Sequence, residues 1–214
     1  MSGYADYFGD DLRSYDQYEV QTIIATPENF KSFGTFCDTY DKHDVIICEW
    51  PITGKRKLFP GTGKDGGIAE GNFIYSYERH EESIILKAQN QAVGGKYITG
   101  IQYDTSLTPQ SYPKYILTRE ANYHPDGGQV FYSAGKPFML LLAKSGDDIT
   151  PSDFVCFKFD GSKSVQIYPN VWHQPAYPLD QQMTLKTKQG KVHACVPYDS
   201  INEHKCWLKI KLEN

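Results

Sequence analysis

Twelve short runs, each apolar or alternating between apolar and polar residues, recur along this 214-residue chain with turn-forming residues between most of them. They are Val45–Trp50, Asn72–Tyr77, Ser83–Gln89, Lys96–Tyr103, Tyr112–Arg119, Gln129–Tyr132, Phe138–Ala143, Phe154–Phe159, Ser164–Tyr168, Met183–Thr187, Val192–Pro197 and Cys206–Leu212. Gly94-Gly95, Pro125-Asp126-Gly127-Gly128, Ser145-Gly146-Asp147-Asp148, Asp160-Gly161 and Gln189-Gly190 supply the punctuation. Short strands at this spacing predict an all-β sandwich, jelly roll or barrel. The chain reads as an arm over 1–18, carrying Tyr4, Tyr7, Tyr15 and Tyr18, followed by a β-domain over 19–214. One helix start stands out: Thr26-Pro27-Glu28-Asn29 has a capping residue, a proline at the first helical position and an early acid, and it predicts a short helix ending near Gly34.

The charge pattern excludes several partners. A formal net charge of -4 and a pI near 5.9 give no electrostatic footprint for nucleic acid or an anionic membrane surface. The first residues lack the basic and apolar regions of a signal peptide, and no apolar run approaches the ~20 residues of a bilayer span, so a cytoplasmic location is expected. Cys37, Cys48, Cys156, Cys195 and Cys206 are odd in number and widely spaced, which predicts reduced thiols rather than a disulfide framework. The tyrosine-rich arm and the long apolar strands suggest an edge covered by a second copy, a homodimer.

Two segments carry the chemistry. In Tyr123-His-Pro-Asp-Gly-Gly-Gln-Val-Phe-Tyr132 a turn brings a histidine, an acid and an amide to the start of a strand, so that Gln129 and Phe131 face one way and Val130 and Tyr132 the other. The glycines are expected to supply positive φ in that turn. In Pro169-Asn-Val-Trp-His-Gln-Pro175 two prolines bracket a strand-end histidine, where barrels place functional side chains. The alternative reading of both is structural: His124 and Asp126 cap a hairpin, and Trp172-His173 packs. Arg119 is a candidate carboxylate clamp or half of a surface salt bridge, and Glu203-His204 either returns to the barrel mouth or forms a solvated turn. His43, His80 and His193 have no partner in sequence and read as ordinary histidines. The glycine-dense segment Pro60–Gly71, flanked by Arg56 and carrying Glu70, lacks the phosphate-loop pattern, so no nucleotide cofactor is expected.

His124-Pro125 before Gln129-Val-Phe, the strand Lys136-Pro-Phe-Met-Leu-Leu-Leu-Ala143, the Phe157–Gly161 turn and Val171-Trp-His-Gln-Pro175 together resemble the ureidoglycolate lyase group of cupins over roughly 112–210. Asn122-Tyr123-His124 stands where that family usually has Glu-Arg-His, and Trp172-His173-Gln174-Pro175 where it commonly has Trp-His-His-Pro. The resemblance implies a double-stranded β-helix with a short amino-terminal helix, and a carbon-nitrogen lyase that releases urea and glyoxylate in ureide breakdown. It implies His173 and His124 as catalytic groups, and Gln129, Asp126, Arg119, Tyr132, Trp172, Glu203 and His204 as substrate contacts. A divalent ion on His124, Gln129 and His173 is a further expectation. A cupin acting on another small polar metabolite, or a non-catalytic barrel, remains open on the same residues.

Overall fold

The computed structural model describes residues 7–47, 56–59, 61, 66–104 and 112–212. Its strands are β1 (Asp16–Glu19), β2 (Gln21–Ile24), β3 (Gly34–Cys37), β4 (Ile68–His80), β5 (Ser83–Asn90), β6 (Lys96–Tyr103), β7 (Tyr115–Thr118), β8 (Glu120–Tyr123) and β9 (Gln129–Tyr132). They continue with β10 (Phe138–Ala143), β11 (Val155–Phe159), β12 (Ser164–Ile167), β13 (Trp172–His173), β14 (Tyr177–Pro178), β15 (Gln182–Gly190), β16 (Val196–Asp199) and β17 (Cys206–Lys211). Two short α-helices, α1 (Pro27–Phe30) and α2 (Ser200–His204), complete the α and β elements.

The strands form two mixed sheets of an all-β, cupin-like jelly-roll fold. One is ordered β1-β17-β7-β6-β5-β4-β15-β9-β12-β3, the other β16-β8-β13-β10-β11-β2 with β14 also on β10. Neighbours pair antiparallel except β1 with β17 and β2 with β11. These two exceptions are consecutive in the chain: residues 16–24 run along the edge of one sheet and then the edge of the other. Val20 is buried at the crossing and its N–H donates to the Lys209 carbonyl at 2.9 Å.

Sequence pattern explains which strands lie deep. β10, Phe-Met-Leu-Leu-Leu-Ala, is buried at every position, as a strand covered on both faces must be. In β4 Phe73, Tyr75 and Tyr77 are buried while Asn72, Ile74 and Ser76 between them are less so, the period-2 signature of one wet face. Side chains from both sheets, among them Tyr75, Leu86, Phe131, Leu140, Phe157, Ile167 and Leu185, share one core.

α1 forms as the sequence predicts but is shorter. Thr26 caps it, its Oγ1 accepting from the Asn29 N–H while the Asn29 side chain accepts from the Thr26 N–H. It ends at Phe30, whose ring packs edge-on against Phe157 and Phe159 at 5.5 and 5.2 Å. Gly34 does not close the helix; it opens β3, where an added Cβ would stand 2.0 Å from the Gln166 carbonyl oxygen. The arm contributes structure too: Tyr7 is buried against Trp207 with ring centroids 5.9 Å apart. Val45–Trp50 is not a strand over its described part; Ile47 makes an isolated bridge to Gly127, and residues 48–50 lie outside the described residues. Most of the Pro60–Gly71 loop also lies outside them, and β4 begins at Ile68. Cys37, Cys156, Cys195 and Cys206 are not disulfide-bonded, and Cys48 lies outside the described residues. Among the described residues no helix is long and apolar enough to cross a membrane.

Candidate active site

A cavity of about 40 Å³, open on one side, lies between the two sheets. The ten-stranded sheet lines it with Phe73, Asn90, Tyr97, Ile98, Thr99 and Gln129, the seven-stranded sheet with Glu120, Asn122 and His173, and the segments outside these strands with His124, Gln174, Pro175 and His193.

Two turns deliver the first two histidines. His124 follows β8 and enters Pro125-Asp126-Gly127-Gly128. Neither glycine there has positive φ, contrary to the sequence expectation. Both are required by close approach: a Cβ on Gly127 would meet the Ile46 carbonyl oxygen at 2.7 Å, and one on Gly128 the Ile167 carbonyl oxygen at 2.4 Å. His173 follows a turn at Tyr168-Pro-Asn170, in which Asn170 takes φ 64°, a conformation asparagine tolerates better than most residues. β13 then pairs with β8, His173 opposite Asn122, so the two imidazoles stand 5.0 Å apart between ring centroids.

The third histidine is one that sequence alone reads as ordinary. His193 lies 4.5 Å from His124 between ring centroids and has φ 53°, a left-handed backbone that non-glycine residues seldom adopt. Asp126 holds it there, one carboxylate oxygen accepting from the His193 N–H at 3.0 Å and the other from the Ala194 N–H at 3.1 Å. Gly190 makes room for that carboxylate, since a Cβ at 190 would sit 2.2 Å from Asp126 Oδ2. Asp126 is thus a backbone clamp rather than the substrate contact expected of it. The only hint in sequence is His193-Ala-Cys195 just before a strand.

Hydrogen bonds fix the rings. His124 Nδ1 donates to the Ala194 carbonyl at 2.8 Å and lies 3.5 Å from Cys195 Sγ. His173 Nδ1 donates to the Val171 carbonyl at 2.9 Å, which in the neutral ring leaves a lone pair on Nε2. The charge is divided unequally. Burial disfavours charge on His124, but the Cys195 sulfur, the Ala194 carbonyl and the Asp126 carboxylate outweigh it and push the pKa up to about 9. Burial first, then the positive His124, drive His173 down to about 3, against the Val171 carbonyl. Burial, then His124 and His173, drive His193 down to about 2.

Around the histidines the lining is rich in carboxamides. Gln129 stands opposite Gln189 in the β9–β15 register, and its Nε2 donates to Thr187 Oγ1 at 3.1 Å and Gln189 Oε1 at 3.2 Å. Asn122 Oδ1 is buried without a hydrogen-bond partner among the described residues, while Gln174 donates to the Glu120 carbonyl. The alternation read in sequence holds: Gln129 faces the cavity and Phe131 the shared core, while Val130 and Tyr132 turn to the other side, where Tyr132 stacks on Tyr40 at 5.9 Å.

Five other expected contacts lie away from the cavity lining. Tyr132 is the first. Arg119 grips Asp199 through Nε at 3.1 Å and Nη2 at 2.7 Å, securing the residue that caps α2. Glu203 accepts both Arg56 nitrogens at 2.8 Å, and His204 Nε2 reaches the Ile149 carbonyl at 3.2 Å. Trp172 is buried on the opposite side of β13 from His173, edge-on to Tyr123 at 4.6 Å. Arg56 lies over Trp172 and Tyr198 rather than pointing inward, and Glu70 sits 3.9 Å from Lys188. Each of these charged groups has met a nearer partner outside the cavity.

For a metal ion, His124, His193 and Cys195 each offer a ligand atom within 4.8 Å of the others and could hold one; two nitrogens and a sulfur suit a zinc-like ion. This differs from the set expected in sequence, which has Gln129 and His173 in the places of His193 and Cys195. A ligating imidazole ordinarily donates its second N–H to an acceptor. His124 and His173 do so. His193 instead receives a hydrogen bond from Gln189 at its Nδ1, 2.6 Å away, so ligation through its Nε2 requires that amide to turn over.

Comparison with known proteins places this geometry. Ureidoglycolate lyase of Stutzerimonas stutzeri (strain A1501) is 27% identical over 86 residues, 39% of this chain and 51% of that protein. Ureidoglycolate lyase of Azotobacter vinelandii is 29% identical over 86 residues, 39% of this chain and 52% of that protein. The chain thus spans about half the length of these curated relatives. The family profile described as Ureidoglycolate lyase matches residues 78–203, more than half of the chain and a stretch that includes all three cavity histidines, and the chain belongs to that family.

Proposed function

We propose that the protein is a carbon-nitrogen lyase that cleaves ureidoglycolate to glyoxylate and urea in the cavity between its sheets. The observation that carries this reading is the convergence of His173 and His193 on His124, ring centroids 5.0 and 4.5 Å away, in a carboxamide-lined cavity, where neighbouring groups push the His124 pKa up and burial pushes that of His173 down. The reaction needs a base for the substrate hydroxyl and an acid for the departing nitrogen. Neutral His173 takes the hydroxyl proton at Nε2; the O–H electron pair becomes the second bond of the new carbonyl; the C–N pair leaves on nitrogen; and His124 supplies the proton that completes urea. The two steps assist each other, because once His124 gives up its charge, part of what held His173 neutral is gone. An imidazole can act in either role.

The polar lining matches the two ends of this substrate. A ureido group is rich in N–H donors, and Asn122 Oδ1 is a buried acceptor without a partner among the described residues. The carboxylate end calls for positive charge, and among the described lining residues there is neither Arg nor Lys, so the charge falls to His124. The test is to incubate the purified protein with ureidoglycolate and assay urea, glyoxylate and ammonia separately. Urea and glyoxylate in equal amounts without ammonia are expected; ammonia in place of urea, or no urea at any protein concentration, overturns the reading.

A further inference from the structure

A chain of amides running from the backbone to His193 fixes which of its ring nitrogens carries the proton. The Ala92 N–H donates to Asn90 Oδ1 at 2.9 Å, which turns the Asn90 amide nitrogen toward Gln189. Asn90 Nδ2 and Gln129 Nε2 then both donate to Gln189 Oε1, at 2.9 and 3.2 Å. With its oxygen held by two donors, Gln189 presents its NH₂ to His193 Nδ1 at 2.6 Å. A donor facing Nδ1 requires a lone pair there, so neutral His193 carries its proton on Nε2. That nitrogen is buried and meets no acceptor among the described residues.

A buried N–H without a partner is a rarity that calls for an explanation, and this one is constructed at some cost. Asp126 holds His193 in its left-handed backbone, three side chains and a backbone amide set its tautomer, and the ring lines the cavity beside His124. The missing partner is an acceptor oxygen, and of the acceptors on the proposed substrate the carboxylate fits, because Asn122 Oδ1 in the same lining suits the ureido N–H groups instead.

We propose that His193 Nε2–H and His124 form a carboxylate subsite, and that Gln189, oriented by Asn90 and Gln129, is the positioning residue that keeps His193 a donor. This names the groups that select an α-carboxylate and so rests on the lyase reading for its substrate, though not for its geometry. Without Gln189, His193 is free to move its proton to Nδ1 and to turn a lone pair toward the carboxylate, which then loses a hydrogen bond and gains a repulsion.

Nitrogen-15 NMR of the histidine rings, with glyoxylate as the carboxylate probe and urea as the neutral one, tests it. In the wild-type protein His193 should show a bare Nδ1 and a protonated Nε2, and glyoxylate but not urea should shift that N–H downfield. Gln189→Leu should mix the two tautomers and weaken glyoxylate binding roughly tenfold or more, the loss of one hydrogen bond to a charged group, while leaving the urea affinity as it was. Wild-type protein with the proton on Nδ1 overturns the proposal without recourse to any variant, and so does a folded Gln189→Leu that binds glyoxylate as tightly as wild type. A protein that shows this tautomer and binds glyoxylate, yet releases no urea from ureidoglycolate, sinks the lyase reading and supports the subsite.

Discussion

Replacing His124 with glutamine should lower kcat/KM for urea release by about a hundredfold to ten-thousandfold, the usual worth of a positioned acid-base group. Glutamine can still donate to the Ala194 carbonyl that His124 contacts at 2.8 Å, so the hairpin turn keeps its hydrogen bond. It cannot carry the proton. The pH profile separates this from a packing defect. In the wild type, His124 must be charged to act as acid, so kcat/KM should decline as pH rises through about 9. In His124→Gln that alkaline decline should vanish along with most of the rate. A variant that loses rate uniformly and keeps the alkaline limb would show that some other group supplies the proton.

The largest effect on stability should come from Trp172→Ala, a loss of about 3–5 kcal/mol against the ~5–15 kcal/mol that usually holds a domain folded. Trp172 is fully buried, packs on Tyr123 at 4.6 Å and Tyr198 at 6.1 Å, and donates from its indole nitrogen to the Gly146 carbonyl at 2.7 Å. Truncation empties that space and leaves Gly146 without its donor. Arg56, which lies 5.2 Å over the indole, loses a cation-π surface as well. Chemical denaturation should show a lower midpoint with an unchanged slope, while the enzyme that remains folded turns over normally, because the indole faces away from the cavity. An unchanged midpoint would contradict the packing.

The parts of this site that sequence reveals are those governed by local rules. Period-2 alternation puts Gln129 inward and Tyr132 outward, and the proline-bracketed strand end aims His173 across at His124; the structure agrees on these. The same alternation separates Trp172 from His173, so packing and cavity roles coexist in adjacent residues. What local pattern cannot reveal is a residue whose place depends on a distant partner. His193 faces the cavity because Asp126, from a turn far back in the chain, holds an unfavourable backbone there. Neither the strained φ nor the clamp leaves a signature beyond His193-Ala-Cys195. Arg119, Glu203 and His204 look equally suited to the mouth in sequence, yet α2 and its Asp199 cap bring Arg119 a nearer partner, and Arg56 does the same for Glu203. Helix α2 itself is five residues long, too short to establish a period. The two glycines after Asp126 are legible as a turn, but for the wrong reason, because their need for space depends on Ile46 and Ile167, which approach from elsewhere in the fold.

The division of charge among the three imidazoles is the central claim, and a nitrogen-15 titration of the assigned histidines reads it directly. His124 should remain an imidazolium through neutral pH and lose its proton only toward about 9, while His173 and His193 should stay neutral well below the ordinary histidine value of 6.5. If His124 instead lost its proton at or below 6.5, or His173 titrated there as a solvent-exposed histidine does, the cavity would hold neither the acid nor the poised neutral base that cleavage of ureidoglycolate requires.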